Sequence, residues 1–154
     1  MRAVITRVKS ADVAIDGATV GKIGQGLLIL LGIGPQDSSA EVEKMADKIL
    51  GMRIFSDEEG KMNRSVQDIG GQVLVVSQFT LYGNCRKGNR PSFTGAAAPD
   101  HAIPLYEQFL QHCADRGFPP QHGQFGADMQ VSSINDGPVT IWLDSEDLAQ
   151  RRRP

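Results

Sequence analysis

The chain has 154 residues, 40% hydrophobic and 22% charged, with a formal net charge of −2. That length fits one domain able to bury roughly 70 per cent of its unfolded surface without disulfide or metal staples. The charge excludes a global pull toward nucleic acid, so any RNA contact needs a local basic patch, and no apolar run nears the roughly 18 residues of a spanning helix.

At the start, the longest apolar run is Ala3-Val4-Ile5, and Arg2, Arg7 and Lys9 break up the rest, which is not a signal-peptide core. Cys85 and Cys113 form no scaffold pattern and read as free thiols of a cytoplasmic chain. Residues 3–8 predict a strand. Residues 11–15 and 18–23 flank Asp16-Gly17, the pair that favours a type I′ hairpin turn. Residues 27–32 (L-L-I-L-L-G) are apolar throughout and predict a central strand. Gly32-Ile33-Gly34-Pro35 is no phosphate loop, since neither a third glycine at dinucleotide spacing nor a Gly-Lys-Ser/Thr follows.

Ser38-x-x-Glu41 is a capping box. Val42, Met45, Ala46, Ile49 and Leu50 then fall at helical spacing, predicting a helix over 39–50 stopped by Gly51, its apolar stripe facing a core. Residues 53–55 read as a short strand. The acids Asp57, Glu58 and Glu59 lack the spaced ligand series of a calcium loop and read as a solvated turn.

Residues 71–82 (G-Q-V-L-V-V-S-Q-F-T-L-Y) organise the rest. Val73, Leu74, Val75 and Val76 have the unbroken apolar pattern of a strand buried on both faces. Ser77, Gln78 and Thr80 then place two hydroxyls and an amide around Phe79, where the neighbours predict a segment still largely out of water; such groups need partners. Two readings stand side by side: side chains tying down a strand end, or an active-site floor in which backbone N–H groups and hydroxyls face a substrate.

Residues 83–98 carry glycines, Arg86, Lys87, Arg90 and a run of alanines with no period, a long loop of the kind usually functional or mobile. A helix follows from about Asp100 to Arg116, with Ala102, Leu105, Phe109 and Cys113 on its apolar face. Pro104 requires either a later start or an irregular first turn. Gly117 ends it and Pro119-Pro120 prevents its resumption. Residues 123–126 form a loop holding Phe125. Residues 129–134 and 139–143 predict two strands joined across Asn135-Asp136-Gly137-Pro138, with the proline at a turn or edge. An isolated X–Pro bond favours trans by about 0.5 to 1 kcal/mol. Arg151, Arg152 and Arg153 close a basic tail that reads as frayed and solvated.

His101, His112 and His122 have no metal-ligand partner at a recognised spacing, so no metal is expected, and no other cofactor is expected either. No Gly-x-Ser-x-Gly elbow is present. A hydrolase built on this chain lacks an obvious general base, which favours backbone donors and a substrate group over a side-chain triad.

Ser77-Gln78-Phe79-Thr80-Leu81, taken with Asn135-Asp136-Gly137-Pro138-Val139-Thr140, resembles the paired signature of the D-aminoacyl-tRNA deacylases. The likeness extends over Arg7, the 27–32 strand, Arg53-Ile-Phe-Ser-Asp57, Gly60-Lys-Met-Asn63, Arg90-Pro-Ser-Phe93 and Ala127-Asp-Met-Gln-Val131, leaving out only the tail after about Leu143. Tyr82-Gly83-Asn84-Cys85 departs from the small polar residues expected after the first motif, and Gly126 stands where alanine is commoner.

The resemblance implies an α+β single domain over 1–145, a β-rich layered core (β/β/α) with two main helices on one side, followed by a flexible basic tail over 146–154. It implies a homodimeric cytoplasmic esterase, with no membrane association, that removes D-amino acids from tRNA. Gly137-Pro138 would be cis and would enter the partner's pocket beside Ser77, Gln78, Phe79 and Thr80. Arg7 would lock that motif, and Phe125 and Met129 would line the pocket. The N–H groups of Phe79 and Thr80 would form the oxyanion hole, with Ser77 and the Thr80 hydroxyl as further catalytic candidates and a covalent threonine ranked lower. Glycyl-tRNA would pass the chiral filter. Arg86, Lys87 and Arg90 are expected at tRNA phosphates from charge alone. A non-catalytic aminoacyl-end binding module and a generic Ser/Thr esterase are the competing readings.

Overall fold

A computed structural model describes residues 1–150; Arg151, Arg152 and Arg153 lie outside the described residues. β1 (Arg2–Ile15) and β2 (Ala18–Ile23) form the expected hairpin, with Asp16 at φ 50° and Gly17 at φ 78°, the two positive values a type I′ turn demands. The separate strands expected at 3–8 and 11–15 are one strand. Its first half pairs antiparallel with β3 (Gly26–Gly32) and its second half with β2, while β8 (Gln130–Asp144) runs antiparallel along its other edge. β3 pairs parallel with β6 (Gln72–Ser77), which pairs parallel with β7 (Gln121–His122). β4 (Phe55–Ser56) and β5 (Met62–Arg64) make a small separate hairpin, two residues later than the strand expected at 53–55. The acidic stretch is its turn: Asp57 Oδ1 accepts from the N–H groups of Glu59 and Lys61.

α1 (Ser39–Gly51) and α2 (Pro99–Asp115) cover one face of the sheet. At the start of α1 the Glu41 carboxylate accepts from both the N–H and the hydroxyl of Ser38, and these bonds hold it below the usual carboxylate range. Gly51 is the last helical residue; the chain turns extended at Met52. Val42, Met45, Ala46, Ile49 and Leu50 meet Ala102, Leu105, Tyr106, Phe109 and Cys113 over Ile5, Leu27, Ile29, Leu31, Val73 and Val75. Burial pushes the Cys113 thiol up to about 12.

Helix α2 starts at Pro99 and passes through Pro104 without interruption. Pro104 and Asp100 are both exposed, so the carbonyl of Asp100, which proline leaves without an N–H partner, faces water.

On the opposite face of the sheet, Val8, Ala11, Val13, Ile23, Leu28, Leu74 and Val76 form a second, smaller core. The sheet curls to enclose it: a Cβ on Gly21 of β2 would lie 3.0 Å from the His122 carbonyl oxygen of β7. Residues 27–32 and 73–76 therefore are buried on both faces, as their unbroken apolar runs predict.

The two strands expected at 129–134 and 139–143 are halves of one strand. Both pair with β1: Thr140 opposes Thr6 and Asn135 opposes Val8, so Asp136, Gly137, Pro138 and Val139 stand opposite Arg7 alone. The segment is a large bulge within a ladder, not a hairpin turn. After β8 the chain forms α3 (Ser145–Ala149), with the Asp144 side chain accepting from Glu146 N–H; the tail expected to loosen at 146 is helical through 149. Among the described residues no helix is long and apolar enough to cross a membrane.

Candidate active site

Strand β6 ends at Ser77 and the chain turns at once into a single 3-10 turn, Phe79–Tyr82. Gln78 N–H still reaches back to the Leu31 carbonyl at 2.8 Å, so the turn hangs directly from the central strands. The expectation that residues 77–80 lie out of water does not hold within one protomer: no residue of the turn is buried, and Phe79 is 54% exposed. The first N–H groups of any helix have no partner inside it. Among the described residues those of Phe79 and Thr80 donate to no protein acceptor. The Thr80 hydroxyl accepts from the Gln78 amide, a group that cannot serve as a base.

Beside the turn lies a cleft of about 470 Å³ lined by Ser77, Phe79, Phe93, residues 96–99, Phe125, Gly126, Ala127 and Met129. Phe79 meets Phe93 edge to face at 5.4 Å, and Tyr106 backs Phe125 at 6.0 Å between ring centroids. Burial raises the Tyr106 phenol to about 12, and its hydroxyl donates to the Val75 carbonyl. No residue of the lining ionises, so general acid–base chemistry cannot come from these walls.

Four of the expected site residues, Ser77, Phe79, Phe125 and Met129, line this one cleft, with Gln78 and Thr80 at its edge in sequence. Gly137 and Pro138 do not line it. They sit in the β8 bulge, their peptide bond is cis, and Gly137 has φ 134°. Asn135 closes the bulge, its Oδ1 accepting from Val139 N–H and its Nδ2 donating to Thr140 Oγ1. Arg7 braces it from β1: Nε donates to the Asp136 carbonyl at 2.8 Å and Nη1 to the Ile54 carbonyl at 2.7 Å. The planar fork thereby ties the bulge to the segment after α1. Arg86, Lys87 and Arg90 are exposed on the loop after the turn.

A family model described as D-Tyr-tRNA(Tyr) deacylase matches residues 4–144. The chain belongs to this family. D-aminoacyl-tRNA deacylases of Thermosipho africanus and Clostridioides difficile are 56% identical over 146 residues and 57% over 145, matches that cover 95% and 94% of this chain and 98% and 97% of theirs. A solved structure titled c-Myc DNA Unwinding Element Binding Protein is 44% identical with a TM-score of 0.89, over 94% of this chain and 98% of that one. A probable eukaryotic D-amino acid tRNA deacylase, 18% identical, shares the fold at a TM-score of 0.78 over 92% and 97%. Membership in the deacylase family makes the chain a hydrolase of the aminoacyl-tRNA ester class.

What residue-by-residue reading missed in this deacylase is the far wall of the cleft, Phe93 and residues 96–99. The signal was present: three consecutive alanines, Ala96 to Ala98, in a loop where no helix accounts for them, small enough to leave a chamber open.

Proposed function

We propose that the protein hydrolyses the ester joining a D-amino acid to the terminal ribose of tRNA, releasing both and sparing the L ester. The observation that carries this reading is a cleft with no ionisable wall beside two N–H groups lacking protein partners among the described residues. Such a site suits a reaction whose developing charge lies on a carbonyl oxygen. Water adds to the ester carbon. The charge that forms on the carbonyl oxygen is received by the Phe79 and Thr80 N–H groups, and the carbon–oxygen bond to the ribose breaks as the sugar oxygen takes a proton. The neighbouring 2′-hydroxyl assists the water, so the substrate supplies the group the walls lack. Ser77 and Thr80 shape the floor without forming a covalent intermediate.

The chiral filter is main chain. Gly137 and Pro138 of one copy enter the partner's cleft, and their carbonyl oxygens accept from the substrate α-ammonium in the space an L side chain would need. Four decades of discrimination require about 5.5 kcal/mol, which fixed backbone can impose and a yielding side chain cannot. Glycyl esters, having no side chain to collide, pass. Two observations support a second copy as the donor: the bulge is absent from its own protomer's cleft, and β8 leaves Val131, Ile134 and Trp142 exposed along one strand. Arg86, Lys87 and Arg90 contact tRNA phosphates, and the protein works in the cytoplasm, where charged tRNA is used.

Initial rates on D-tyrosyl-tRNA and L-tyrosyl-tRNA test the reading. The D ester is expected to be cleaved at least about 100-fold faster, a gap of some 2.7 kcal/mol; equal rates would reject it.

A further inference from the structure

The 3-10 turn is four residues long and none of them is buried, so apolar burial does not fix it. Turns this short have little stability of their own. Its N-terminal end is held by the Gln78 bond to Leu31. Its C-terminal end is held by Arg2 at the start of β1: Nη1 donates to the Leu81 carbonyl at 3.0 Å and Nε to Asp144 Oδ2 at 3.1 Å. The guanidinium lies 4.4 Å from the Tyr82 ring centroid and 5.7 Å from that of Trp142. From the sheet side, Tyr82 packs onto backbone that only glycine allows so close. A Cβ on Gly34 would lie 2.7 Å from the Tyr82 hydroxyl oxygen, and one on Gly32 would lie 2.9 Å from the Gln78 carbonyl oxygen and 3.3 Å from Tyr82 Cε2. Desolvation, the largest cause, raises the Tyr82 phenol, which stays neutral and leaves Arg2 to pair with Asp144.

We propose that Arg2, clamped between Tyr82 and Trp142, is a positioning residue for the deacylation: by holding the Leu81 carbonyl it sets the direction of the Phe79 and Thr80 N–H groups at the head of the same turn. Arg2 does not line the cleft. The clamp also gives Tyr82, the first residue of the stretch that departs from the pattern expected after the first motif, a definite task. The inference rests on the reading above, in which those two N–H groups receive the carbonyl charge. Misplacing reacting groups by about 1 Å costs on the order of 100-fold in rate. A lysine cannot replace Arg2, because a point charge lacks the planar fork that bonds Leu81 and Asp144 together while stacked on a ring.

The test is steady-state deacylation of D-tyrosyl-tRNA by the full-length wild type, Arg2→Met, Arg2→Lys and Tyr82→Leu, with the fluorescence of Trp142, the chain's single tryptophan, as a report on the clamp. The expected result is a kcat lowered roughly 10- to 100-fold with KM within about 2-fold in all three variants, no rescue by lysine, and a shifted Trp142 emission. Full kcat in folded Arg2→Met, or recovery in Arg2→Lys, overturns the proposal, as does a change confined to KM. Should Arg2→Met fail to fold, Arg2→Lys decides alone, since it keeps the charge and the stem and loses only the fork that bonds Leu81 and Asp144 together. An inactive wild type would sink the deacylase reading itself, whereas an active wild type with unaffected variants sinks only the role of Arg2.

Discussion

Arg7 and Gly137 are fitted to each other at the scale of single atoms. Any Cβ on Gly137 would lie 2.7 Å from Arg7 Nη2, at a φ of 134° that L side chains rarely adopt, so a larger residue there must displace the brace. A tighter constraint lies at Gly26, where a Cβ would fall 1.8 Å from the Gln72 carbonyl oxygen, a backbone atom of the neighbouring strand. Gly26→Ala is expected to destabilise by about 3 kcal/mol, read as a lowered denaturant midpoint, because β3 and β6 must part at the start of their ladder. A loss under about 0.5 kcal/mol would mean the strands separate there at no cost. Some of these constraints are legible from residue type alone: Asp16-Gly17 announces its turn and Ser38-x-x-Glu41 its cap, because both signals are local. The partners of Arg7 are not, since Ile54 and Asp136 come from segments 47 and 129 residues away.

Among the elements, α1 and α2 were readable from their 3.6-residue period, and β3 and β6 from unbroken apolar runs. β8 was not. Asn-Asp-Gly-Pro is turn chemistry wherever it occurs, and only the 14-residue length of β1, pairing with both halves, turns the segment into a bulge. Exposure of the 3-10 turn was unreadable for a related reason, since an apolar residue such as Phe79 looks like core in sequence whether or not the fold covers it. Between the helices, Asp47 of α1 accepts from His112 Nε2 at 2.8 Å and pairs with Arg116 just beyond α2. The His112 bond, the largest cause, holds the Asp47 carboxyl below its ordinary 3.8. A lowered folded pKa contributes stability that is complete above the ordinary value and fades as pH falls through the lowered one. Asp47→Asn should therefore cost about 0.5 kcal/mol near neutral pH, small because the pair is exposed, with the gap closing in melts below about pH 3.8. A gap that widens on acidification would contradict the assignment.

For the molecule as a whole, the proposed chiral filter requires two copies to share each site: a cleft from one and a main-chain wedge from the other. A C2 dimer makes that exchange reciprocal, so two defects in different parts of the site can complement one another. Phe79→Pro removes one N–H donor at the first position of the turn, where proline fits, and Gly137→Val strains the bulge at a residue that does not line its own cleft. Each variant alone should be inactive on D-tyrosyl-tRNA. The deciding measurement is the activity of the two co-expressed: random pairing predicts recovery of about one quarter of wild-type sites, carried by a dimeric species. Activity no higher than either parent, or full activity in a strictly monomeric protein, would contradict the shared site.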